Sequence, residues 1–139
     1  VKYLSGKVTI YSTSPEMSRK AMVYYLDMSF GDREGLITSK NPETCTPEQT
    51  AFFKELFTGA DYKENYAILN NYVKSLGDSI PPFIHLYIGL SPTMKTFGTT
   101  FDPDFGDCYD TAMIITTDDI YPDKYKRYVE SYEKCKVRK

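Results

Sequence analysis

The run from Ile80 to Ile120, IPPFIHLYIGLSPTMKTFGTTFDPDFGDCYDTAMIITTDDI, constrains the fold more than any other part of the chain. Pro82, of the Pro81-Pro82 pair, predicts a helix start, because a first-turn residue has no use for an N–H. Phe83, Leu86, Tyr87 and Leu90 share a face of that helix. Met94 to Phe101 is predicted as a strand despite Gly98, since Thr and Phe favour extended backbone. The strand ends in an acidic turn, Asp102-Pro103-Asp104-Phe105-Gly106-Asp107. Tyr109 to Thr116 is a second strand, and its Ala112-Met113-Ile114-Ile115 stretch is apolar on both faces, as in a central strand. Pro122 then opens a last helix carrying Tyr125, Tyr128, Val129 and Tyr132.

Upstream, Lys2 to Tyr11 ends in alternation, with Val8 and Ile10 on one face and Lys7 and Thr9 on the other, so a strand is predicted. Ser14-Pro15-Glu16 supplies an N-cap, a first-turn proline and a first-turn acid. Met17, Ala21, Tyr24, Tyr25 and Met28 recur at helical spacing, and Gly31 stops that helix. Residues 31 to 46 are predicted as a long loop with a short extended piece at Leu36-Ile37. Thr46-Pro47-Glu48-Gln49 is a capping box, and Phe52, Phe53, Leu56 and Phe57 line one face of the helix it opens. Asp61 and Glu64 cap a longer helix marked by Tyr62, Tyr66, Leu69, Tyr72, Val73 and Leu76, with Gly77 as its stop. The order β-α-loop-α-α-α-β-β-α predicts an α/β (α+β) domain with a small sheet of about three strands packed with helices. Such a sheet has a vulnerable edge, which continues an upstream sheet or pairs in a homodimer.

One domain over residues 1–139 suits a chain that is 41% hydrophobic and 26% charged. A net charge of −2 gives no global field for nucleic acid. Lys124, Lys126, Arg127, Lys134, Lys136, Arg138 and Lys139 form a basic tail, either a solvated face or a local contact surface. Three dispersed cysteines, Cys45, Cys108 and Cys135, and the single His85 offer no metal-ligand spacing, and a reducing cytoplasm fits them. No apolar run reaches the ~18 residues a membrane span requires, nor is there a long amphipathic segment for insertion.

Three stretches carry a family resemblance: GKVTIY (6–11), LFTGADYKENYAILN (56–70) and the run from Ile80 to Asp107. They are similar to the C-terminal half of a bacterial GNAT-fold family labelled "hemolysin" and grouped with the ornithine-lipid-type N-acyltransferases. The resemblance implies a partial GNAT-like fold, the C-terminal part of a longer acyltransferase whose acyl-donor half lies upstream. It implies transfer of a fatty acyl group from acyl carrier protein or acyl-CoA to an amino acid or small amine. It further implies no covalently bound cofactor, a place in aminolipid synthesis, and at most peripheral contact with the inner membrane. Lysis by a lipid product would account for the family label without a pore. GNAT enzymes hold the donor phosphates on an Arg/Gln-x-x-Gly-x-Gly/Ala loop. The glycines here are isolated, so the 139 residues alone are expected to be inactive.

Asp102, Asp104 and Asp107 crowd one turn, where mutual repulsion can raise one pKa into the range of an amine-proton acceptor. Asp102 and Asp104 are the candidate catalytic residues. Asp107, Phe105 and Tyr11 are the candidate substrate-binding residues, Tyr11 because the resemblance places it beside the acyl-donor channel. The structural alternative is a turn whose aspartates cap their own backbone. His85 falls opposite the apolar face of its helix and is expected to be exposed, and Cys108 is expected to be a small packed residue. Against the enzyme stands a non-catalytic module that binds acyl carrier protein through the basic last helix or mediates dimerisation.

Overall fold

The computed structural model describes residues 2–32, 34, 43–91, 93–103 and 108–127. The elements are β1 (Tyr3–Ile10), α1 (Glu16–Phe30), α2 (Pro47–Leu56), α3 (Tyr62–Ser75), α4 (Pro82–Ile88), β2 (Lys95–Asp102), β3 (Cys108–Thr116) and α5 (Pro122–Tyr125). A 3-10 turn at Thr117–Asp119 lies between β3 and α5. The three strands form one antiparallel sheet in the order β1-β3-β2. The α/β class and the small three-stranded sheet agree with the order of patterns in the sequence, and β3 is the central strand.

Central position does not bury both faces of β3. Thr111, Met113 and Ile115 are buried, whereas Ala112 is exposed and Ile114 half-buried. Val8 and Thr96, paired with Thr111 and Met113, share the packed face. The other face carries Lys7, Thr9 and Asp110, whose side chains require water or polar partners. Gly98, at φ +82°, sits where the β2–β3 register shifts between Thr96 and Thr99. This bulge, at a backbone angle that favours glycine, returns Thr99 to the packed face opposite Thr111.

α1 is the centre of the core. Ser18, Lys20, Ala21, Met22, Val23, Tyr25, Leu26 and Phe30 are all buried, between β2 on one side and α2 and α3 on the other. It begins one residue later than Ser14-Pro15 predicts: Pro15 is the N-cap with extended ψ, and no side chain caps the helix. Its C-cap is Gly31 as expected, but the helix runs to Phe30, whose ring packs 5.4 Å from Tyr62. The capping box of α2 is present in full, Thr46 N–H donating to Gln49 Oε1 at 2.9 Å and Gln49 N–H to Thr46 Oγ1 at 3.2 Å. Asp61 accepts from Glu64 N–H at 2.9 Å and caps α3. After α3, Gly77 N–H donates to Lys74 O at 3.0 Å and Asp78 N–H to Val73 O at 3.1 Å, closing the helix at the predicted stop.

α4 corrects the sequence pattern. Its buried residues are Ile84 and Ile88, while Phe83 and Leu86 are exposed. The segment PFIHLYI is apolar almost all round, so spacing alone did not select the stripe that meets the core. His85 is exposed, as expected. Leu36-Ile37 and Tyr128, Val129 and Tyr132 lie outside the described residues.

Phe53 is fully buried and contacts the rings of Tyr24, Phe57 and Tyr72, whereas its neighbour Phe52 is 45% exposed. Phe53→Ala should therefore cost about 3–5 kcal/mol of stability. Phe52→Ala should cost under about 1 kcal/mol, and denaturant unfolding of the two variants measures the difference.

Candidate functional site

The register brings the C-terminal ends of β1 and β2 to the N-terminal end of β3. Ile10 and Phe101 both pair with Tyr109, and Asp102 pairs with Cys108. Tyr11, immediately after β1, and Asp102 thus lie at one end of the sheet. Tyr11 is 62% exposed, Asp102 is half-buried and Cys108 is buried. Asp104, Phe105 and Asp107 lie outside the described residues; Tyr11 and Asp102, the two predicted site residues that are described, stand at the same end of the sheet on either side of β3.

One row further along, Asp110 accepts a hydrogen bond from Thr9 Oγ1 at 2.8 Å, and Lys7 Nζ stands 3.6 Å from its other oxygen. On the packed face, the Tyr109 ring lies 5.0 Å from Phe101, and the Arg19 guanidinium sits 4.2 Å above it.

Arg19 leads into a buried ionic cluster that the sequence patterns did not reveal. Arg19 Nε lies 3.6 Å and Lys20 Nζ 2.5 Å from Glu43 Oε1, and these three side chains are only 11–12% exposed. Neither contact to Glu43 Oε1 has hydrogen-bond geometry. Lys20 also donates to the Thr44 carbonyl. Glu43 is fixed in turn by its N–H, which donates to Thr99 O on β2 at 2.7 Å. A signal was present in part: Lys20 falls on the helical stripe of Met17, Ala21 and Tyr24, and a charge on an apolar face requires a counter-ion. Glu43 belongs to no periodic segment and left no comparable signal.

Beside the cluster, between α1 and β2, is a cavity of about 360 Å³, lined in part by Asp27, Glu43, Cys45, Thr96, Thr99 and Thr111. Thr99 and Thr111 share a hydrogen bond of 2.6 Å between their hydroxyls, and Thr96 Oγ1 donates to Leu26 O at 3.3 Å. Burial raises the pKa of the Cys45 thiol despite the opposing pull of Lys20, and the thiol faces Lys20 O at 3.8 Å. It is a packed thiol and a poor nucleophile. The polar side chains described at this end of the sheet include the carboxylates of Asp102 and Asp110 and the hydroxyls of Thr9 and Tyr11.

Over nearly its whole length the chain is similar to known enzymes. It is 39% identical over 134 residues to a glycine N(alpha)-acyltransferase of Phocaeicola vulgatus, covering 96% of this chain and 41% of that protein. It is 40% identical over 136 residues to a glycine N(alpha)-acyltransferase of Bacteroides thetaiotaomicron, covering 95% of this chain and 39% of that protein. The chain spans about two fifths of the length of these curated relatives. No protein-family model matches it. No solved structure matches it. Among the described residues no helix is long and apolar enough to cross a membrane.

The ionic cluster is testable through stability. Glu43→Gln leaves two desolvated cations without their counter-charge and should cost about 3 kcal/mol. Lys7→Ser, which removes an ammonium that is 65% exposed, should cost under about 1 kcal/mol. Equal losses in chemical unfolding would show that the cluster is not effectively desolvated.

Proposed function

We propose that this chain is part of an N-acyltransferase that moves a fatty acyl group from acyl carrier protein or acyl-CoA to the amine of glycine or a similarly small amino acid. The observation that carries the reading is 39–40% identity, along almost the entire chain, to two glycine N(alpha)-acyltransferases. The sheet end is compatible with it, because Tyr11 and Asp102 flank the start of β3 there, with Asp110 further along the same strand.

In this reading the acceptor arrives as an ammonium ion and is drawn to the carboxylates of the turn. Asp102 or Asp104 takes its proton, and Asp107, Phe105 and Tyr11 hold the acceptor and border the acyl chain. The freed amine nitrogen attacks the thioester carbonyl, forming the C–N bond. The carboxylic acid passes that first proton to water, the C–S bond breaks, and the thiolate leaves and takes up the second proton, which the attacking nitrogen sheds through the carboxylate as the amide forms. Nothing of this requires a metal or a covalently bound cofactor. The acyl-donor site is assigned to a part of the relatives outside the segment aligned with this chain, and the 139 residues by themselves are proposed to be inactive.

A segment exchange tests the proposal. The aligned segment of the Bacteroides thetaiotaomicron relative is replaced by this chain, and the folded chimaera is given long-chain acyl donor and glycine, with products read by mass spectrometry. N-acylglycine is the expected product, and Asp102→Asn should lower its formation about 10²-fold if Asp102 is the base. A folded chimaera without product contradicts the proposal. Full activity in Asp102→Asn removes that residue from the proton transfer and leaves Asp104 to the same test.

A further inference from the structure

A second cavity, of about 370 Å³, opens between α3, α4 and the start of α5. It follows the C-terminal end of β3, whereas the acidic turn precedes the N-terminal end. Nine strand residues, roughly 26 Å, separate the two. Its volume falls in the range of small-ligand pockets, about 300–1,000 Å³.

The walls are aromatic and aliphatic: Tyr62, Tyr66, Tyr121, His85 and Ile88. The Tyr66 and His85 rings lie 5.5 Å apart. Tyr25 OH donates to the Tyr62 carbonyl at 2.7 Å, tying this wall to α1. Tyr121 N–H donates to Leu90 O at 2.9 Å, tying the opposite wall to the end of α4. The cleft is therefore pre-formed by backbone contacts on both sides.

Its polar groups point to one kind of ligand head. The Tyr62 and Tyr121 hydroxyls are 2.6 Å apart. Such a pair holds two protons and spends one between its members, so the other remains to be donated. Burial and then the bond to Tyr121 push the Tyr62 pKa up to about 12. Lys63 and Lys124 line the same cleft and have no ion-pair partner among the described residues. Asp61, which also acts on Tyr62, is turned to the α3 N-terminus as its cap. That leaves Asp123 as the acidic residue of the lining, against two lysines.

We propose that this cleft is a binding site for an anionic amphiphile, its apolar chain lying on Tyr66, His85 and Ile88 and its carboxylate held by Lys63, Lys124 and the Tyr62–Tyr121 hydroxyl pair. The inference rests on the cleft alone and does not depend on the acyl-transfer reading. A free fatty acid and an N-acyl amino acid share this chemistry.

The chain contains one histidine, so the ring signals of His85 report on this cleft without ambiguity. The protein is titrated with dodecanoate below its micelle concentration and followed by proton–carbon NMR of the imidazole. Saturable shifts are expected, with dodecyltrimethylammonium and acetate each binding at least roughly tenfold more weakly. The double variant Lys63→Ser/Lys124→Ser, changed at a surface cleft outside the core, should weaken dodecanoate by roughly tenfold or more with an unchanged circular dichroism spectrum. N-dodecanoylglycine, run in parallel, distinguishes the two sources of the ligand: tighter binding than dodecanoate marks an N-acyl amino acid, and weaker binding marks a free fatty acid. Absence of a saturable His85 shift with both carboxylates overturns the proposal. So does equal affinity for the cationic amphiphile, or unchanged affinity in the double variant.

Discussion

The structure depends on burying α1. A fifteen-residue helix with eight buried positions touches the sheet through β2 and two further helices, and it carries Lys20 into that environment. An unpaired ammonium there would cost several kcal/mol, on the scale of the whole domain's stability. Glu43 supplies the counter-charge from a segment that is also hydrogen-bonded to the outer edge of β2 through Thr99. One residue thus pairs Lys20, covers part of an open strand edge and lines the cavity between α1 and β2. On the same helix, Arg19 couples the cluster to the Tyr109 ring at the sheet end that Tyr11 and Asp102 flank.

Elements set by local chemistry were legible in the sequence. The capping box at Thr46, the Asp61 cap, the glycine stops after α1 and α3, and the alternation of Val8 and Ile10 each depend on residues a few positions apart. The central place of β3 was also legible, from its unbroken apolar stretch. Burial was less so: Ala112 and Ile114 look as apolar as Met113 and Ile115, but the face they occupy is not packed. α4 failed for the same reason, since an all-round apolar heptad does not reveal whether Ile84 or Phe83 meets the core.

The site was legible in proportion to how much of it is local. The acidic turn is an expectation from composition whose residues 104–107 lie outside the described residues, and only the register of β1 on β3 puts Tyr11 at the end of the sheet where Asp102 stands. The pairing of Arg19 and Lys20 with Glu43 joins residues more than twenty positions apart, one of them in an aperiodic segment, and no local pattern encodes it. The Tyr62–Tyr121 pair spans a still longer separation, and His85, exposed as its position on α4 implied, gains significance only because Tyr66 and Tyr121 border the same cleft. Carboxylates at one end of β3 and cationic, aromatic groups beyond the other give the molecule two poles of opposite character. An amine is the ligand proposed for the first, and the anionic end of a lipid-like molecule the ligand proposed for the second.

The central claim is that the end of the sheet where β1, β2 and β3 meet receives the amine acceptor. The most direct measurement is a titration of isotopically labelled protein with glycine, followed through backbone amide chemical shifts. Saturable changes are expected at Tyr11, Phe101, Asp102, Tyr109 and Asp110, and none at Tyr62, Tyr66 and His85. Saturable changes confined to residues elsewhere, or none up to concentrations at which the relatives are saturated with glycine, would contradict it.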